Sequence, residues 1–155
     1  MTLRKKISLL TFSIFLLTII SWFYISLEDE KINDQLLDNE VTIEGIVEEI
    51  KISDNHCFAI IYLKNVVSTP RYFNLLLRNK SYPYIINNLK SEVFCTQCES
   101  DSTQRGDTLI LDSKRKRISI MHKRNKLKIN QNLEIIIDGS NIDYIKRNSK
   151  LLFTK

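Results

Sequence analysis

Between Ile7 and Leu27 the chain runs 21 residues without a charge, a glycine or a proline. As an α-helix rising about 1.5 Å per residue it reaches about 31 Å, the thickness of a bilayer's hydrocarbon core. Arg4, Lys5 and Lys6 precede the run and Glu28, Asp29 and Glu30 follow it. Basic flanks stay in the cytoplasm, so the expectation is a single-pass protein of the inner (cytoplasmic) membrane with its N-terminus inside. Trp22 and Tyr24 fall near the outer end, where amphipathic rings settle among headgroups. A cleaved signal peptide begins in the same way but ends on small residues. Cleavage after Ser21 or Ser26 would leave Ile19 or Tyr24 two residues upstream, and no cysteine stands near the run's end to carry a lipid. Both readings place the rest of the chain outside the cytoplasm.

The organisation that follows is a basic tail over 1–6, a signal-anchor helix over 7–27, a stalk helix or linker over 28–40 and one extracytoplasmic β-rich domain over 41–155. Residues 28–54 hold ten acidic against two basic side chains, a net of −8, whereas 55–155 hold eighteen basic against eight acidic, a net of +10. Uneven charge of this kind usually serves solubility, but it also admits an anionic partner for the distal part. With three glycines, two prolines and abundant Ile, Leu, Phe and Tyr, the chain has the composition of a folded core.

Ile32, Leu36 and Leu37 lie on one helical stripe of the stalk. From Val41 the period changes to two: Val41, Ile43, Gly45 and Val47 share a face, and Ile50 and Ile52 continue on the other, which predicts a long strand bulged between Gly45 and Glu49. A second strand from His56 to Lys64 is apolar on both faces and therefore central. Tyr72 to Leu77 reads as a third strand. Ser81 to Leu89 reads as a short helix, with Ser81 as N-cap, Pro83 in the first turn and Ile85, Ile86 and Leu89 at helical spacing. Cys95 to Arg105 is polar and reads as a loop. Thr108 to Leu111 and Ile118 to Met121 read as a hairpin, Leu127 to Ile129 and Leu133 to Ile137 as a pair across Asn130 to Asn132, and Asp138-Gly139-Ser140 as a tight turn. Leu151 to Thr154 is expected to close the sheet, while Ile142 to Lys150 fits no single element. The fold class expected is mainly β (α+β): a transmembrane helix followed by a small OB-like β-barrel with one short helix.

Gly45-Ile46-Val47, Asn55-His56 before an apolar strand, and Asp138-Gly139-Ser140 with Lys146 and Ser149 together resemble a set of small membrane-anchored, β-rich proteins of Bacteroidetes. Those proteins carry Gly-x-Val, then Asn-His, then Gly-Asp-Ser-Ile-x-Lys; this chain has Asp-Gly-Ser and a displaced lysine. The resemblance implies anchored, β-rich architecture and brings no activity with it.

Two features could carry chemistry. Cys95-Thr96-Gln97-Cys98 has the spacing of a local disulfide, a redox pair or half a metal site. The acidic, helix-poor sequence after it raises a thiol pKa and favours the structural disulfide Cys95–Cys98. A zinc site would need His56 with Cys57 or His122, and His56 and Cys57 as strand neighbours point to opposite faces, so no metal is expected. Lys114, Arg115, Lys116, Arg117, Lys123, Arg124, Lys126 and Lys128 put eight cations into fifteen residues, an anion-facing edge or a solvated one. Ser140 lies in no nucleophile elbow, Glu48 and Glu49 straddle two faces of one strand, and no phosphate loop or dinucleotide fingerprint is present, so neither an enzyme nor a cofactor is expected. The reading is a membrane-anchored binding module of the cell envelope, with anionic lipid headgroups or an envelope protein as partner. Its rivals are a thiol-disulfide protein using Cys95 and Cys98, and an OB-like binder of an anionic ligand through the basic hairpin. An envelope location counts against nucleic acid.

Overall fold

The computed structural model describes residues 3–54, 58–77, 79–96 and 103–153. Two compact units are present, Met1–Leu36 and Leu37–Lys155.

The first unit is made by helix α1, Leu3–Leu37. No glycine or proline interrupts those 35 residues, so the apolar run and the charged segment after it form one continuous helix. It ends where the Asn39 amide turns back to the Leu37 carbonyl and Glu40 adopts φ 54°. Phe12–Leu37 is long and apolar enough to cross a membrane. Over Phe12–Leu27 its large side chains are exposed all round, Trp22 at 75% and Tyr24 at 70%. An exposed helix that is apolar on every side is suited to lipid rather than water.

The second unit is mainly β, one eight-stranded antiparallel sheet. Its strands are β1 (Thr42–Ile52), β2 (Ala59–Thr69), β3 (Tyr72–Phe73), β4 (Tyr84–Asn87), β5 (Lys90–Cys95), β6 (Thr108–Asp112), β7 (Arg117–Met121) and β8 (Lys128–Asn132), followed by helix α2 (Gly139–Asn148). The spatial order is β3-β4-β5-β2-β1-β6-β7-β8. β1 alternates as expected, with Ile43, Gly45 and Val47 buried between exposed Thr42, Glu44 and Ile46. Its register against β2 shifts between Glu44 and Ile46 and again between Val47 and Glu49, the bulges that the change of face implied. β2, between β1 and β5, is central and buried on both faces from Ala59 to Leu63.

Cross-strand pairing puts Ile43, Leu111 and Ile118 on one face, with Gly45, Leu109 and Ile120 beside them and Val47 opposite Leu63. A Cβ on Gly45 would stand 3.0 Å from Val66 Cγ2 and 3.2 Å from Leu63 Cβ. Gly45→Val should therefore destabilise the unit by about 1–3 kcal/mol through overpacking. A lower urea midpoint at unchanged slope checks this; an unmoved midpoint would show that β2 yields freely. The second face of β2, β4 and β5 is covered by α2 and the turn after it, where Ile142 and Ile145 of the helix and Leu151 of the turn pack with Phe58, Ile60, Tyr62, Ile85 and Phe94. Ten residues are too few for a stable isolated helix, so this contact holds α2 in place.

The expected helix over Ser81 to Leu89 is instead β4 and its turn. Tyr84, Ile85 and Ile86 are consecutively buried, which a strand covered on both faces permits and a one-sided helix does not. Asn88 at φ 54° then folds the chain back onto β5, with Tyr84 opposite Val93 and Asn87 opposite Lys90. The short helix lies later, at α2, where Asp138 is its N-cap and accepts from the Asn141 amide at 2.9 Å. Residues 130–132 are strand, not turn: Lys128–Asn132 pairs along β7, aided by Ser119 Oγ donating to Asn130 Oδ1 at 2.8 Å.

No closed barrel forms, and β3 and β8 are the two edges among the described residues. Beyond β8 the Leu133 amide donates to the Lys116 carbonyl, and Ile136 then exchanges two backbone hydrogen bonds of 2.9 Å with Ser81, ahead of β4. The segment Leu133–Ile136 thus straps one side of the sheet to the other. Leu151 to Phe153 forms a turn rather than a closing strand.

Candidate functional site

The eight cations fall into two groups. β7 has only five residues, yet the β6–β7 turn lies at one end of it and the β7–β8 turn at the other, about 13 Å away at strand rise. Lys114, Arg115, Lys116 and Arg117 belong to the first group and Lys123, Arg124, Lys126 and Lys128 to the second.

The first turn is tied to the start of β1. Ser113 Oγ accepts from the Val41 amide at 2.8 Å and the Ser113 amide donates to the Val41 carbonyl at 2.9 Å. Lys114 Nζ lies 3.4 Å from Glu40 Oε1, and Arg115 Nε lies 3.5 Å from Asp112 Oδ2. Exposed pairs such as these add little stability, about 0–1 kcal/mol, but they offset part of this turn's charge.

The second turn is built on a buried carboxylate. Asp107 Oδ2 accepts from the Gln104 amide at 2.8 Å and from His122 Nδ1 at 2.9 Å, and Oδ1 accepts from the Lys123 amide at 3.0 Å. Burial alone would push the Asp107 carboxyl up, but the amides of Lys123 and Gln104 and the His122 ring outweigh it, and the carboxyl sits below the usual aspartate range. One side chain thereby joins the 104–107 segment to the end of β7. The His122 side chain is 14% exposed, and among the described residues no hydroxyl or thiol hydrogen-bonds it. Among the described residues the pair thus acts as a clamp, with no nucleophile hydrogen-bonded to it.

A second buried carboxylate holds α2. Glu92, on β5, is 0% exposed. It accepts from Ser149 Oγ at 2.5 Å, the Lys150 amide at 2.6 Å and the Leu151 amide at 3.1 Å. Desolvation dominates and raises its pKa above the ordinary glutamate value, while these donors pull it part of the way back. Around it, Tyr62 Oη donates to the Asn148 carbonyl at 2.8 Å, Tyr144 Oη donates to the Ile52 carbonyl at 3.0 Å, and Lys150 Nζ sits 4.1 Å from the Tyr62 ring centre. All three donors to Glu92 come from Ser149–Leu151, so the carboxylate is occupied in fastening the chain's last turns.

The remaining sequence candidates stand apart. Cys95 ends β5, buried and paired in register with Ala59, so it is strand rather than loop. Cys98 lies outside the described residues, and the Cys95–Cys98 bridge lies outside them with it. Asn55, His56 and Cys57 fall outside them too. Glu48 pairs with Lys64 at 3.9 Å and Glu49 with Lys150 at 2.5 Å, so the neighbouring carboxylates serve different cations. Ser140 Oγ hydrogen-bonds the N-cap carboxylate of Asp138. Among the described residues no three His, Cys, Asp or Glu side chains are grouped to hold a metal.

Sequence reasoning passed over Glu92 and Asp107. A lone acid leading the apolar run Val93-Phe94-Cys95 was the available signal for the first. For Asp107 there was only its place after Gly106, which is turn chemistry and no more. Comparison of the chain with protein-family models, with curated proteins and with solved structures finds no match.

Proposed function

We propose that this chain is a membrane-anchored binding module of the cell envelope, held by α1 in the cytoplasmic membrane with its N-terminus inside and its β unit outside. The observation that carries the reading is α1 itself, 35 residues with large apolar side chains exposed on every side of its Phe12–Leu27 part. Arg4, Lys5 and Lys6 before that part and Glu28, Asp29 and Glu30 after it support the orientation. Among the described residues of the β unit, the buried carboxylates of Glu92 and Asp107 are each taken up by three protein donors, the arrangement of a scaffold that presents its surface rather than a reaction centre. An OB-like character belongs to the same reading, supported by the doubly bulged β1 and the strap between Lys116 and Ser81. So does the resemblance to small anchored proteins of Bacteroidetes, carried by Gly45-Ile46-Val47, Asn55-His56 and Asp138-Gly139-Ser140.

A reporter fused after Lys155 should be active only in a form that works outside the cytoplasm. Activity confined to a cytoplasmic reporter overturns the orientation. The N-terminal peptide of the mature protein should begin at or near Met1; one beginning after Ser21 or Ser26 replaces the anchor with a cleaved signal.

A further inference from the structure

The β7–β8 turn differs in its electrostatics from the β6–β7 turn. Lys123, Arg124, Asn125, Lys126, Leu127 and Lys128 are all exposed, with Leu127 54% exposed between two lysines. Among the described residues none of its four cations makes an ion pair, whereas Lys114 and Arg115 at the opposite end of β7 have Glu40 and Asp112. The carboxylate at its base, Asp107, is buried and occupied. The turn is also held in shape. The His122 amide donates to the Leu127 carbonyl at 3.0 Å, the Lys126 amide to the His122 carbonyl at 3.1 Å, and the Leu127 amide to Asn125 Oδ1 at 3.0 Å. Lys126 is kept at φ 58°, a left-handed conformation that a side-chain-bearing residue adopts only when its surroundings impose it.

Four cations around an exposed apolar tip match one kind of surface on both counts. Headgroup phosphates take the cations, and the boundary between headgroups and acyl chains takes Leu127. A single-stranded nucleic acid would engage the cations but leave Leu127 in water, and the turn's aromatic ring, His122, is largely buried against Asp107 and so poorly placed for a base to stack on. We propose that the β7–β8 turn docks on the anionic headgroup surface of the bilayer that holds α1, with Leu127 entering the interface and Lys123, Arg124, Lys126 and Lys128 on phosphates; this rests on the anchored reading above. Tethering keeps that surface at a high effective concentration, so a contact too weak to hold a free protein suffices. Each cation contributes about fivefold to the docked population at low salt, and the effect fades as the Debye length shrinks.

The test uses the full chain carrying Trp22→Phe and Leu127→Trp, which leaves one tryptophan, at the turn. It is reconstituted into phosphatidylcholine vesicles with or without phosphatidylglycerol, using lipids brominated on the acyl chains. The expected result is a blue-shifted emission quenched by bromolipid in anionic vesicles, reversed by high salt and absent in neutral vesicles. Changing Lys123, Arg124, Lys126 and Lys128 to Ser should abolish the quenching, while changing Lys114 to Arg117 to Ser should leave it. Flotation separates the two readings. A chain that fails to float with vesicles of either composition loses the anchor and the docking together. One that floats but shows no quenching, or equal quenching in neutral and anionic vesicles, loses the docking alone. Quenching only when the bromolipid is in added protein-free vesicles, or its relief by an oligonucleotide, also overturns the proposal, in favour of a surface in trans or a nucleic acid.

Discussion

Replacing Glu92 with Ala should cost the β unit about 3–5 kcal/mol, the largest single effect expected outside α1. Three donors converge on this fully buried carboxylate, from Ser149 Oγ and the amides of Lys150 and Leu151. A buried donor left without a partner costs about 1–3 kcal/mol, and an alanine leaves a cavity as well. Against a total of about 5–15 kcal/mol for a domain, the loss is large enough to release α2 and the last turn before the sheet melts. Amide exchange should show this as fast exchange at Lys150, Leu151 and α2 with protection kept in β2 and β5. Glu92→Gln keeps an oxygen for the two amides and should cost far less.

The two substitutions also differ in their pH response. Desolvation raises the Glu92 carboxyl despite its hydrogen bonds, so the folded state holds that proton more tightly than the unfolded chain does. Its linkage therefore favours folding on the acid side. The contribution is present below the unfolded glutamate value, falls as pH rises toward the raised folded value, and is flat above it. Glu92→Gln should remove that slope, and an unchanged slope would mean the carboxylate is solvated after all.

Asp107→Ala should cost about 2–4 kcal/mol and loosen the β7–β8 turn, because it frees the amides of Gln104 and Lys123 and the ring of His122. Here the linkage runs the other way. The Asp107 carboxyl lies below its unfolded value, so its contribution is present above that value and is lost as pH falls through the lowered one. The wild-type unit should thus lose the Asp107 clamp in acid while the Glu92 contact is still favoured, and exchange at the Lys123 amide should quicken before that at the Lys150 amide. Simultaneous release of both would show that the two carboxylates belong to one cooperative unit. In the vesicle experiment Asp107→Ala should weaken docking without touching any cation, since a slack turn must be ordered before it binds.

Patterns that repeat within a few residues were legible in the sequence. The apolar helix, the alternation and bulge of β1, the central β2 and the β6–β7 hairpin each follow from a local period that burial on one or two faces imposes, and the structure has all four. Local spacing misled where a short apolar run serves either period: Ile85, Ile86 and Leu89 fit a helix, yet pairing with β5 on one side and α2 above made the segment a strand. Asn130 to Asn132 misled for the opposite reason, since polar residues that favour turns also sit well on an exposed edge. The candidate site divides in the same way. The sequence by itself determined that the region would be basic, because charge is a property of composition. Only the tertiary structure decided that β7 stands between the cations, that Glu40 and Asp112 partner one group, and that Asp107, sixteen residues from Lys123, shapes the other. Glu92 likewise meets Ser149 across 57 residues. No local period encodes such a meeting, because a buried carboxylate finds its donors only after the sheet has brought distant backbone amides within reach.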